Sequence, residues 1–331
     1  MTIHRNHGTN AGPVGMLREW GTRGVSLAAL IYMAMLAVYA VFDPDALDVS
    51  SVMNLANNSA PLALAAAGQT VVILSRGFDL SLAGTIAVAN VLVATYPLPG
   101  PGGAVASFLL CAVVGAAVGL VNGYLVAYRR IQPIAATLAT MIVTQGIALL
   151  IMPVPGGSVA DFISMTMTDT LFGMPITAMV VCVFAALWLF LKHTDVGVWI
   201  YATGADEVAA TLSGVPTRRA RCLAFVVAGV CYGASGFLLS AQTATGDPNS
   251  GIPFLLLSFA AVALGGTSLT GGQGGVIGSM IGAGVLLLMQ KMLLAMGISS
   301  FYTGLCQGLL LIAAILCERG LTQARHSGAE A

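Results

Sequence analysis

Apolar runs alternate with short polar interruptions along most of this chain. They fall at Val25 to Phe42, Ala60 to Leu74, Leu82 to Tyr96, Ala104 to Ala127, Ile134 to Met152, Ile176 to Leu191, Cys222 to Ala241, Phe254 to Leu264, Val276 to Met289 and Tyr302 to Cys317. Each run predicts a helix, because a helix pairs all its own backbone groups where no water can do so. Several are shorter than the ~20 residues that a bilayer asks for, so some helices must be tilted, extended by polar residues or broken. The pattern predicts an all-α polytopic membrane protein of about ten transmembrane helices.

The composition agrees: 57% of the 331 residues are hydrophobic and 8% charged, whereas about a quarter are charged in soluble domains. The charges segregate. Arg5, Arg18 and Arg23 precede the first run, and Arg129, Arg130, Lys192, Arg218, Arg219, Arg221, Arg319 and Arg325 occupy alternate later junctions. The opposite junctions carry Asp43, Asp45, Asp48, Asp161, Asp169 and Asp247. Basic residues stay on the cytoplasmic side, so both termini are expected there. A signal peptide is disfavoured at the N-terminus, because the first run exceeds the ~7–15 residues of a signal core.

The expected organisation is a cytoplasmic N-terminal tail (1–24), one transmembrane domain (25–317) and a cytoplasmic C-terminal tail (318–331). Within the domain, 153–175 is too long for a tight turn on the periplasmic side, and 192–221 is a long cytoplasmic segment. Gly115, Gly119 and Gly123 recur every fourth residue, as do Gly278 and Gly282, a spacing that lets helix backbones approach in lipid. The cysteines at 111, 182, 222, 231, 306 and 317 lie in or beside apolar runs without metal spacing and read as packing residues.

Two polar breaks interrupt the apolar pattern. The first, Ser75-Arg76-Gly77-Phe78-Asp79-Leu80-Ser81, puts a carboxylate and a guanidinium between two apolar runs, where a charge costs at least ~2.5 kcal/mol unless paired or wet. Asp79 is read either as the N-cap of the next helix, paired with Arg76, or as a group that with Ser81 meets polar substrate at a helix start inside the membrane. The second break, residues 265–275, offers Thr267, Ser268 and Thr270 for the same use, and its likeness to the first hints at an internal duplication. Asn90, Asn122 and Gln145, with Gln69, Gln290 and Gln307, are candidates to line a hydrophilic path; each is otherwise an interhelical hydrogen bond. Lys291 is expected to snorkel to the periplasmic interface.

In the cytoplasmic segment, Asp206 can cap a helix, Glu207 suits its positive end, and Gly214 before Pro216 stops it. That predicts a short helix from Asp206 to Ser213 outside the membrane, including Ala209, Ala210 and Leu212. From spacing alone it is either a docking element or a surface helix that tidies a loop. No GxxxxGK[ST] loop is present, so no ATPase site of that kind is expected on this chain. His4, His7, His193 and His326 lie in tails or at a boundary, which disfavours an enzyme with a buried His or metal centre.

The stretch Val71 to Ser81 resembles the "GIDLS" element of the ribose-type permeases of bacterial ABC importers. Asn122-Gly123 through Thr137-Leu138-Ala139-Thr140-Met141 resembles that family's "NG…FIATLxxM" region. Ala202-Thr203-Gly204 through Val215 is similar to its "GxNxxAAxLSGI" element, and Gly265 to Gly272 to its "GGTSLxGG" element. Arg76 and Phe78 depart from the pattern, where the family more often has a small or apolar residue and Ile.

The resemblance implies a permease subunit in the bacterial inner membrane, carrying a monosaccharide or polyol delivered by a periplasmic binding protein, and paired with a second permease copy. It implies no cofactor on this chain and no nucleic acid partner, with ATP and Mg held by a separate ATPase. The helix at Asp206, Glu207, Ala209, Ala210, Leu212, Ser213 and Gly214 would dock on that ATPase. The competing reading is a self-sufficient secondary transporter using Asp79 and Arg76 as an ion or proton relay.

Overall fold

The computed structural model describes residues 13–298, 302, 304–309 and 312. Half of the expected tenth helix, Tyr302 to Cys317, and residues 1–12 of the expected N-terminal tail lie outside the described residues, as does the whole C-terminal tail; residues 13–24 of the N-terminal tail are helical. The helices are α1 (Pro13–Phe42), α2 (Val49–Leu74), α3 (Leu82–Thr95), α4 (Gly100–Ala127), α5 (Pro133–Ile151) and α6 (Asp161–Thr168), followed by α7 (Ile176–Lys192), α8 (Asp195–Ala205), α9 (Glu207–Leu212), α10 (Thr217–Thr243), α11 (Ile252–Leu264) and α12 (Val276–Ala295). Nine of the ten apolar runs fall within or almost within nine of these helices.

Residues 24–42 of α1 and all of α4, α5, α10 and α12 are long and apolar enough to cross a membrane; α7 and α8, bent by 78° at a short break, form a sixth candidate. The chain is an all-α polytopic membrane protein, with one small exception among the described residues. β1 (Thr170–Leu171) and β2 (Met174–Pro175) form an antiparallel hairpin inside the 153–175 segment, which Gly156 ties to Gly246 by paired backbone hydrogen bonds.

The centre of the bundle is α2, α3 and α10, with α12 beside α2. From Ala60 to Leu74 every residue of α2 is buried, and so is every residue of α3 except Leu92 and Thr95. Facing outward are exposed apolar side chains of α1, α4, α5 and α7, such as Leu30, Val113, Ile142 and Phe190, the surface that lipid must cover.

Pro61 sits inside α2 and has no N–H for the carbonyl of Asn57 four residues earlier. Gln242 of α10 donates its side-chain amide to that carbonyl, so the helix keeps its proline without leaving an acceptor bare. Ser235 donates to the carbonyl of Pro61 itself at 2.7 Å.

The glycine ladder does what its spacing predicts. A Cβ at Gly115 would lie 2.0 Å from the Gly229 carbonyl oxygen, and one at Gly119 2.2 Å from that of Phe225, so α4 and α10 touch backbone to backbone. Gly278 and Gly282 bring α12 equally close to Gly265 and Ala261.

Candidate functional site

Asp79 and Ser81 sit in the turn between α2 and α3, and both are buried, at 0% and 1% exposure. Ser81 occupies the N-cap position of α3. Asp79 Oδ1 accepts from the Ser81 backbone N–H at 2.9 Å and from its hydroxyl at 2.6 Å, holding the turn just before the helix. Asn122 of α4 donates to Ser81 Oγ at 2.8 Å, and Thr140 of α5 donates to Asn122 Oδ1 at 2.6 Å. A chain of hydrogen bonds therefore runs Thr140, Asn122, Ser81, Asp79 across three helices. Asp79 Oδ2, at the end of that chain, is buried with no hydrogen-bond partner among the described residues.

This arrangement corrects two expectations. Asp79 is not itself the N-cap, and it is not paired with Arg76. Arg76 is exposed and donates instead to the carbonyl of Ala205 at 2.7 Å. The reason is geometric: Arg76 has φ 59, a left-handed turn that sends the break's two charges to different surroundings. Thr140 was missed in the sequence, although Thr137, Thr140 and Thr144 share one face of α5 by their spacing.

The other path candidates scatter. Asn90 donates to Ser240 Oγ at 2.9 Å and accepts from the Asp247 backbone N–H at 2.7 Å, and Gln145 donates to the Pro248 carbonyl, so both fasten the loop after α10. Thr267 is buried and folds the second break on itself, accepting from Gly275 N at 3.1 Å, while the Ser268 N–H donates to the Gln273 carbonyl at 3.0 Å.

The two breaks meet. Gly272 N donates to the Leu74 carbonyl at 3.1 Å, and a Cβ at Gly204 would stand 1.7 Å from that same oxygen. The ends of α2 and α8 and the 265–275 loop thus converge at one point, and Tyr201 of α8 closes it by donating to the Gly274 carbonyl at 2.8 Å. The sequence predicts one helix in 192–221, and the structure has two. α8 is introduced by Thr194 as N-cap and Asp195 in its first turn, a signal that was present.

At this end of the bundle lies a cavity of about 630 Å³, lined by Arg76, Arg130, Arg218, Arg221, Glu207 and Gln132 among others. Of the path and docking candidates, Arg76 and Glu207 line it; Asp79, Ser81, Asn90, Asn122, Gln145, Thr267 and Ser268 do not. Arg221 forms a two-point ion pair with Glu207, at 2.8 and 3.3 Å.

The short helix is built as its residues imply. Asp206 Oδ1 accepts from Val208 N at 2.8 Å and Ala209 N at 3.0 Å, which holds its carboxyl below the ordinary range. Ser213 donates its hydroxyl to the Ala209 carbonyl at 2.9 Å, and Gly214 turns the chain at φ 82. Ala210, one of the docking residues that the resemblance implies, is buried at 6% against its own chain and so is not on the helix face left open. The open face instead carries Ala209, with Val208 at 70% exposure and Leu212 at 84%, one turn apart.

Residues 51–315 match the family described as branched-chain amino acid transport system / permease component. The chain belongs to that family. This permease is similar to the ribose import permease protein RbsC of Haemophilus influenzae, 32% identical over 89% of this chain and 93% of that protein. It is similar also to RbsC of Bacillus subtilis, 32% identical over 86% and 89%, and to the D-allose transport system permease protein AlsC of Escherichia coli, 27% identical over 87% and 90%. No solved structure matches it significantly. It is a multi-pass permease subunit of the inner membrane, a transport component like its relatives.

Proposed function

We propose that the permease forms the translocation path of an ATP-driven importer for a monosaccharide or related polyol. The sugar reading rests on relatives named for ribose and D-allose import. In this reading a periplasmic binding protein delivers the sugar, a second permease copy completes the path, and a separate cytoplasmic ATPase binds ATP and Mg. The permease itself holds no cofactor.

The observation that carries the ATP-driven part is α9. It is capped at both ends, lies beside the bundle at its basic end, and shows the paired apolar side chains Val208 and Leu212 to solvent. A self-sufficient transporter has no use for such a face, whereas a partner would cover it. The relay alternative needs Arg76 beside Asp79, and the two are turned apart.

The gathering of Arg76, Arg130, Arg218 and Arg221 around one cavity supports placing that end in the cytoplasm. With α2, α3, α11 and the segment after Tyr302 counted as spans, ten crossings put both termini there. Asp79, Ser81, Asn122, Asn90, Gln145, Thr267 and Ser268 would then belong to the interior that rearranges during transport.

The test is reconstitution of the permease in liposomes with its ATPase and binding protein and a panel of labelled pentoses, hexoses and polyols. Uptake is expected only with ATP and loaded binding protein. Uptake driven by a proton or sodium gradient alone would overturn the reading.

A further inference from the structure

We propose that Arg76 and Arg221 are positioning residues that bind α9, the end of α2 and the Asp79 turn into one mechanical unit, so that a push on α9 reaches the buried hydrogen-bond chain. The inference rests on the reading of α9 as the docking element, and it names the residues through which that element would act.

Arg76 and Arg221 line the same cavity. Arg76, just after α2, donates to the carbonyl of Ala205, the last residue of α8 and the one before the Asp206 cap. Arg221, in the first turns of α10, holds Glu207, the first residue of α9, at 2.8 Å, and its Nε reaches the carbonyl of Ser75 at 3.5 Å. Both acceptor carbonyls stand at helix C-terminal ends, where the backbone is partly negative and a cation is favoured. A guanidinium also suits this bridging position, because its planar fork can hold a carboxylate at two points and still reach a third acceptor, which an ammonium cannot do with fixed geometry.

The link from there to the interior is short and stiff. Ser75, Arg76 and Gly77 are pinned to the last turn of α2 by backbone hydrogen bonds of 2.9–3.0 Å to Val72 and Ile73. Arg76 itself is in left-handed backbone, which residues other than glycine seldom adopt unless their surroundings hold them there. Gly271 of the second break packs on its side-chain stem, where a Cβ would come within 2.6 Å of Arg76 Cγ. Only Gly77 and Phe78 separate Arg76 from Asp79. Displacing α9 without breaking an arginine contact must therefore move the turn that carries the Thr140, Asn122, Ser81, Asp79 chain.

The experiment uses the whole importer in liposomes with Arg76→Ala, Arg76→Gln, Arg221→Gln and the exchange Glu207→Arg/Arg221→Glu. Three quantities are read: ATPase recovered with the permease, ATP hydrolysed, and sugar taken up per ATP. We expect the ATPase to be recovered with Arg76→Ala and Arg76→Gln while sugar per ATP falls about tenfold, the scale of a typical coupling between sites. Arg221→Gln should behave likewise, and the charge exchange should recover part of its loss. The glutamine variants keep a polar side chain of moderate bulk but lose the charge and the reach of the guanidinium fork, and so guard against simple misfolding. Unchanged sugar per ATP in both Arg76→Gln and Arg221→Gln overturns the proposal, as does loss of the ATPase from these variants, which would make the arginines docking groups. Failure of the docking reading itself shows separately, as normal ATPase recovery when Leu212 is changed to Glu.

Discussion

Gly115 of α4 and Gly229 of α10 press backbone on backbone: a Cβ on either would lie 2.0 Å from the other's carbonyl oxygen. Contact this close is how helices associate where lipid removes the hydrophobic drive. Gly115→Ala is expected to push α4 off α10 and cost about 1–3 kcal/mol, as overpacking does. Gly146 of α5 has open space at its Cβ position, so Gly146→Ala should gain up to about 1 kcal/mol of helix propensity instead. Thermal unfolding in detergent, followed by size-exclusion chromatography, should move in opposite directions for the same chemical change.

Asp79→Ala removes two hydrogen bonds to Ser81, and Asn122→Ala leaves Ser81 and Thr140 without their shared partner. Hydrogen bonds inside membrane proteins average about 0.6 kcal/mol each, so the amount of inserted protein should fall modestly in both variants. Uptake per inserted molecule should fall much further. A loss of uptake that merely tracks abundance would mark the chain as structural.

On α9 the two faces predict different failures. Leu212→Glu puts a charge on the exposed face; the permease should insert normally, lose its ATPase on purification and stop transporting. Ala210→Glu forces a carboxylate into a buried position, so it should unsettle α9 itself and increase proteolysis between residues 205 and 216. Normal uptake in Leu212→Glu would return α9 to a solvated surface helix.

Sidedness can be read by labelling in a background without the native cysteines. Asp161→Cys should react with an impermeant maleimide added outside intact spheroplasts, and Thr211→Cys should react only after the membrane is opened. Thr211 lines the cavity with Arg218 and Arg221, so outside labelling there would invert the topology.

Local rules carried the sequence reading where residues act on near neighbours. Asp206 over Val208 and Ala209, the Gly214 stop and the four-residue glycine spacing all obey short-range geometry, and each appears as expected. What the sequence hid depends on residues far apart. Arg76 turned to Ala205, 129 positions away, instead of to Asp79, three positions away, because its left-handed backbone is set by the surrounding fold. Ala210 stood among the docking residues that the resemblance implies, but which face of a short helix is covered by its own chain is decided by tertiary packing. The bend that separates α8 from α7 likewise follows from how α8 packs on α2 and α10.

α3 and α11, of 14 and 13 residues, rise only about 20 Å each, well short of the ~30 Å hydrocarbon core. α3 is almost wholly enclosed, and α11 is packed on α2, α3 and α12, while α1, α4 and α5 show the apolar outer face. The outer helices therefore set the thickness that lipid must match, and the polar turns after α2 and α11 lie among neighbouring segments of protein. Bilayers a few ångströms thinner or thicker should tilt the outer helices first, leaving the depth of Asp79 and Thr267 fixed relative to the bundle. Asp79 and Thr267 ride in a lining whose dimensions the membrane does not dictate.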